Sequence, residues 1–197
     1  MGFAALLIGG IPHLATAQVA ATDVAGGPAP TAPAMILSQT TPNFTITSTF
    51  GSPTPGAGYT VATGTETPRL FRGGVVSTCA SPKVCPGTFG SVSHPFDSYT
   101  FRNGDSDACV TVTLTQNSGT TFALFTESYA GSFNPSSLCP NYLAGPGFTW
   151  TISLPAVYSF NVPVCAVFVV VVNDVGGTAG GATYTLTVSD LSVTPRW

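Results

Sequence analysis

The chain has 197 residues, of which 7% are charged, with 5 basic against 8 acidic side chains and a net charge of −3. An average soluble domain is about a quarter charged, yet 44% of this chain is hydrophobic, enough to bury a core and to set it apart from a disordered tail. So few cations leave no basic stripe, which argues against nucleic acid or an anionic membrane surface as partner.

Residues 1–17 read as an export signal. The apolar stretch Phe3 to Leu14 is followed by Ala15-Thr16-Ala17, an A-x-A cleavage pattern ahead of Gln18. No Lys or Arg precedes the stretch, so the signal is read as truncated at its start; the competing reading is an N-terminal hydrophobic strand or hairpin. Gly9-Gly10 and Pro12 break it, and it is too short for a membrane span. Residues 18–65 form an extended region rich in Pro, Gly and Thr, with the linker Gly26-Gly27-Pro28-Ala29-Pro30 at its head. One β-like island stands within it, at 44–50, fenced by Pro42, Gly51 and Pro53. The folded domain is expected over 66–190, and 191–197 as a tail.

That domain reads as strand after strand. Asp97 to Arg102 alternates and ends in the turn sequence Asn103-Gly104-Asp105. Val110, Val112 and Leu114 face one way, and Thr111, Thr113 and Thr115 the other, the pattern of a half-buried strand with a threonine-covered outer face. Strands are expected next over Phe122–Ser128, Phe148–Leu154 and Tyr158–Val162. Phe168 to Val172 is apolar on both parities and so belongs at the centre of a sheet covered on both faces. Tyr184, Leu186 and Val188 return to alternation. Strand succession with Gly, Pro and Asn turns predicts an all-β fold, an antiparallel, jelly-roll-like β-sandwich. At most one short helical turn is expected, near 135–143, capped by Asn134. The predicted core is Tyr99, Phe101, Val110, Val112, Leu114, Phe160, Val170, Leu186 and Val188.

Five cysteines in an exported chain favour disulfides over a thiol site. Cys79 and Cys85 flank a turn-rich loop containing Pro82, and proximity pairs them. Cys109 and Cys139 follow by elimination, leaving Cys165 as a buried, unpaired thiol at a strand head. The spacing also leaves open a Cys139–Cys165 linkage. Zinc is disfavoured, because no C-x-x-C pair occurs and His94 is the only histidine after the leader. His94, followed by Pro95, reads as a surface turn residue.

Asn103, Asp105 and Asp107 put oxygen-bearing side chains at alternate positions, as calcium loops do; the favoured competing reading is an Asn-Gly turn between two strands. Asp97 shares the parity of core residues and is expected to cap backbone N–H groups, while Asp174 suits an Asx turn. Glu66 and Glu127 are the only glutamates, and nothing in the sequence brings them together. Tyr129, Phe133, Tyr142 and Phe148, around the irregular 132–143 segment, are the candidates for an aromatic binding patch. No nucleophile motif or paired carboxylate stands out, so no catalytic residue is assigned.

The opening strand Phe96-Asp97-Ser98-Tyr99-Thr100-Phe101, the late strands Phe168–Asn173 and Tyr184–Val188, and the glycine turn Gly176-Gly177 to Gly180-Gly181 between them resemble the bacterial pre-peptidase C-terminal type of domain. The resemblance spans His94 to Ser189. It implies a secreted, non-catalytic accessory or adhesion module at the cell surface or beyond, binding an extracellular polymer, protein or surface component. The alternative is a structural subunit of a surface layer or fibre, self-assembling by strand addition through residues 44–50. No cofactor is expected apart from calcium at the Asn103 loop.

Overall fold

The computed structural model describes residues 42–117, 123–149, 155–176 and 180–192. Eleven strands make up the described chain: β1 (Phe44–Thr49), β2 (Tyr59–Glu66), β3 (Arg69–Leu70), β4 (Thr88–Phe89), β5 (His94–Arg102), β6 (Ala108–Gln116), β7 (Leu124–Ala130), β8 (Tyr142–Ala144), β9 (Ala156–Val162), β10 (Val167–Asp174) and β11 (Thr183–Ser189). A four-stranded sheet has the order β1-β11-β6-β9, and a five-stranded sheet the order β2-β5-β10-β7-β8; β3 and β4 form a separate ribbon. Every pairing is antiparallel. This is the two-layer sandwich that the alternating pattern predicts, and no helix occurs among the described residues.

Strand parity sets the layers. Val110, Val112 and Leu114 of β6 and Tyr184, Leu186 and Val188 of β11 point into the space between the sheets, all at 0% exposure. Their alternate neighbours form a ladder on the far face, where Thr187 stands opposite Thr113 and Thr185 opposite Thr115. Strand β10 behaves differently because its residues are apolar on both parities. Phe168, Val170 and Val172 join the core between the sheets, while Val169 and Val171 join a second buried cluster on the outer face of the five-stranded sheet. All nine predicted core residues are buried.

The stretch expected to be a linker is part of the sandwich. β1 pairs with β11 along its whole length, Phe44 opposite Val188 through Thr49 opposite Thr183. β2 pairs with β5 from Tyr59–Phe101 to Glu66–His94. The island at 44–50 is therefore not isolated. Ile46 and Phe50 are core residues, and the strand is occupied at home instead of being held out to a neighbour. Pro and Gly around it serve turns: Gly51 has φ +86°, a left-handed conformation for which glycine carries no steric cost.

One other expectation changes, at Cys165. The strand expected over Phe148–Leu154 lies mostly outside the described residues, as do the export signal and most of the tail. Asn134 caps a single turn, as expected: its Oδ1 accepts from Ser136 N–H at 2.9 Å and its carbonyl from Ser137 N–H at 3.0 Å. Cys165 is unpaired as expected yet exposed, in the turn before β10 at φ 55°.

Candidate functional site: a strapped cover over a buried carboxylate pair

Between β2 and β5 the chain runs a long excursion, residues 67–93, that carries only the β3–β4 ribbon. It wraps one edge of the sandwich. Leu70 starts it within the cluster outside the five-stranded sheet. The chain then crosses the edge where β8 and β9 end their sheets. Gly74 N–H donates to the Gly147 carbonyl at 2.8 Å, Ser77 N–H to Gly145 at 3.0 Å, and Ser159 N–H to the Ser77 carbonyl at 3.0 Å. Contact at Gly147 is so close that a Cβ there would lie 2.3 Å from the Val75 carbonyl oxygen. Backbone can approach this near only where no side chain stands.

Both disulfides fasten this excursion. Cys79 bonds Cys109 on the threonine face of β6, and Cys85 bonds Cys139 in the irregular segment after β7. The four predicted cysteines are the bonded ones, but the expected Cys79–Cys85 and Cys109–Cys139 pairs are not formed. The loop between Cys79 and Cys85 does not close on itself, because it spans the return path from one outer face to the other. Asn161 Nδ2 donates to the Cys79 carbonyl at 2.9 Å and fixes the first anchor.

The expected aromatic patch dissolves under this cover. Tyr129 is fully buried, Phe133 and Tyr142 are half-buried, and only Phe148 remains exposed, at 42%. Ring centroids of Tyr129 and Phe133 are 4.8 Å apart and those of Phe96 and Phe133 5.0 Å apart, so the three rings pack as the second core. The exposed aromatic surface lies on the cover itself. Phe71 and Phe89, 45% and 53% exposed, stand 6.0 Å apart by centroid. With Phe148, Arg69, Arg72 and Thr149 they line an open groove of about 320 Å³. Arg69 lies 4.7 Å over the Phe89 ring, a cation–π geometry, and Arg72 Nη1 donates to Thr149 Oγ1 at 3.1 Å. Phe71 also borders a neighbouring hollow with Lys83 and Val84. Three of the chain's five basic residues are thus on the cover.

Beneath Arg69 lies what the sequence did not bring together. Glu66 at the end of β2, Glu127 in β7 and Asn173 in β10 share the outer face of the five-stranded sheet, each at 0% exposure. Asn173 Nδ2 donates to Glu66 Oε1 at 2.6 Å and to Glu127 Oε1 at 3.2 Å. Glu66 Oε2, Glu127 Oε2, Asn173 Oδ1 and the Tyr129 hydroxyl are buried with no hydrogen-bond partner. Burial pushes the Glu66 carboxyl up to about 7, although its bond from Asn173 and the Arg69 charge pull the other way. Burial, then the Glu66 charge, raises Glu127 well above the usual carboxylate range, with Arg69 as a partial offset. Alternation alone would have put each glutamate on a solvent face. What hides them is the cover, whose return path no periodicity reveals.

In the proposed calcium loop, two of the three side chains are engaged by the protein's own backbone. Asn103 is buried and its Nδ2 donates to the carbonyls of Ser106, Val162 and Pro163 at 2.8–3.0 Å, while its Oδ1 accepts from Ser192. Asp107 Oδ1 accepts from Val164 N–H at 2.9 Å. Asn103 and Asp107 thus engage these atoms in binding the loops at one end of the sandwich, while Asp105 is exposed. Asp174 makes the expected Asx contact to Gly176 N–H at 2.9 Å. His94 is buried in β5, not at a surface turn, and its Nδ1 lies 2.8 Å from the Asp174 carbonyl, which can only accept.

No family model matches the chain, and no curated protein or solved structure matches it either. Among the described residues no helix is long and apolar enough to cross a membrane.

Proposed function

We propose that this protein is a secreted, non-catalytic binding module that holds an anionic, carboxylate-bearing extracellular polymer in the groove on its strapped cover. The carrying observation is the concentration of Arg72, Lys83 and the largely buried Arg69 with exposed Phe71 and Phe89 on one cross-linked segment, facing exposed Phe148 across the groove, in a chain whose net charge is −3. Rings supply flat apolar contact at little entropy cost, and a guanidinium fork recognises carboxylates. Two disulfides fit an oxidising compartment. The non-catalytic part is supported by the burial of His94, Glu66 and Glu127, which keeps the histidine and both glutamates out of reach of a substrate in the groove. This reading agrees with the accessory role that the pre-peptidase C-terminal resemblance implies.

Affinity of the purified protein for a soluble polyuronate, compared with a neutral glucan, tests it. Binding should be specific to the polyuronate, weaken with salt, and fall about tenfold in Phe89→Ala and in Arg72→Ala, as for an interaction of about 1.4 kcal/mol. Equal affinity for both polymers, or none for either, removes the proposal. Peptidase or glycosidase turnover that disappears with one polar substitution would replace it with an enzyme.

A further inference from the structure

The buried cluster beneath the cover has a surplus of acceptors. Two carboxylates share a single amide group, and four atoms, Glu66 Oε2, Glu127 Oε2, Asn173 Oδ1 and the Tyr129 hydroxyl, have no partner. An unsatisfied buried polar group costs about 1–3 kcal/mol, more when charged, so four in one place call for something that satisfies them together. Arg69 does not do so. Its Nη1 donates to the Leu70 carbonyl at 2.8 Å and its guanidinium lies on Phe89.

The Asn173 amide ties one oxygen of each carboxylate, at 2.6 and 3.2 Å, and leaves the second oxygen of each, its own Oδ1 and the Tyr129 hydroxyl as the oxygens available to a ligand. All the donors are oxygen, with no imidazole or thiolate, which suits a hard cation over zinc or copper. Tyr129 is two residues from Glu127 on the same strand face, and the charges of both glutamates bear on its hydroxyl.

We propose that Glu66, Glu127, Asn173 and Tyr129 form a structural site for one divalent, oxygen-seeking cation, closed over by the disulfide-strapped cover. The two carboxylates then remain ionised and are neutralised locally. The cation joins β2, β7 and β10 of one sheet and holds the face on which the cover lies.

The test uses the full chain, stripped with a chelator and titrated with Ca²⁺ and Mg²⁺ by calorimetry, with melting followed in parallel. One ion per chain should bind, Ca²⁺ ahead of Mg²⁺, with a melting temperature that rises with the logarithm of free ion as mass action requires. Glu127→Gln, nearly isosteric, should reduce affinity at least a hundredfold. Asp105→Asn, in the exposed turn between β5 and β6, should leave it unchanged. Absence of bound ion in the wild-type protein, with no calcium-dependent rise in melting temperature, overturns the site. If the stripped protein also loses stability steadily from pH 5 to 8, and Glu127→Gln removes that slope, the pair holds a shared proton instead. Loss of binding in Asp105→Asn but not in Glu127→Gln equally overturns the assignment.

Discussion

Asp97 in one sheet accepts a hydrogen bond from Tyr184 of the other, at 2.8 Å, through the middle of the sandwich. With its hydroxyl proton given to Asp97, Tyr184 takes one in turn from Tyr99 at 2.6 Å. Gly51 N–H, in the turn after β1, completes the acceptor set at 3.1 and 3.2 Å. This is the capping of backbone N–H expected of Asp97, extended into an inter-sheet relay. Burial outweighs these donors and pushes the carboxyl up to about 6, above the ordinary 3.8.

The pH dependence follows from that direction. Between the unfolded and folded values the native state binds more protons, so stability rises as pH falls from about 6 towards 4 and is lost in the opposite direction. The wild type should melt several degrees higher at pH 4.5 than at 7.5. Asp97→Asn keeps an oxygen for Tyr184 and Gly51 but does not titrate. The difference between the two melting curves should therefore grow with the Asp97 titration; parallel profiles would show that Asp97 carries no proton in the fold.

Ile46, Leu186, Leu114 and Ala156 stand opposite one another in register across β1, β11, β6 and β9, all buried. Leu186→Ala, in the middle of that row, should cost about 2–4 kcal/mol. Ile46→Ala should cost a comparable amount, because β1 is a structural strand. Deleting residues 18–65 removes β1 and β2, an edge strand of each sheet, and should abolish the cooperative melt. A deletion variant that unfolds like the intact protein would return those residues to the status of a linker.

Alternation made much of this fold legible. Period-two patterns in β6, β9 and β11 identify both the strands and the side they bury, and the two-sided apolar run of β10 marks its central place. The domain begins before the boundary expected at residue 66, because Pro and Gly around Phe44–Phe50 suit a linker and a strand end equally well, and here they end a strand whose Ile46 alternates inward. The site was less legible for a different reason. Glu66 and Glu127 are 61 positions apart in the sequence, and their meeting depends on β2 and β7 flanking β5 and β10, an order that strand identity alone does not determine. Their burial depends in turn on a cover held by cross-links that composition leaves ambiguous.

Those cross-links can be read directly. A short loop pairs neighbouring cysteines by proximity, but the Cys79–Cys109 and Cys85–Cys139 bonds reach 30 and 54 residues along the chain to opposite outer faces. Constraining the unfolded chain over those spans is worth about 3.5–4 kcal/mol each in the entropy model. Trypsin cuts after Lys83, between Cys79 and Cys85, and a glutamate-specific protease cuts after Glu127, between Cys109 and Cys139, so a non-reduced double digest should separate them into two linked pairs, with Cys165 alkylated before reduction. Replacing Cys85 and Cys139 together by Ala should free the cover from the 132–143 segment. Residues 70–92 should then become the first site of proteolysis, and binding in the groove should weaken while the inter-sheet core still melts cooperatively. Removing Cys79 and Cys109 frees the other anchor and should leave Leu70 and Cys85 seated on the second core, with protection lost first around Ser77. A linked Cys79–Cys85 peptide, or identical cleavage patterns for the two variants, would mean that the excursion is a local loop and not a strap around the sandwich edge.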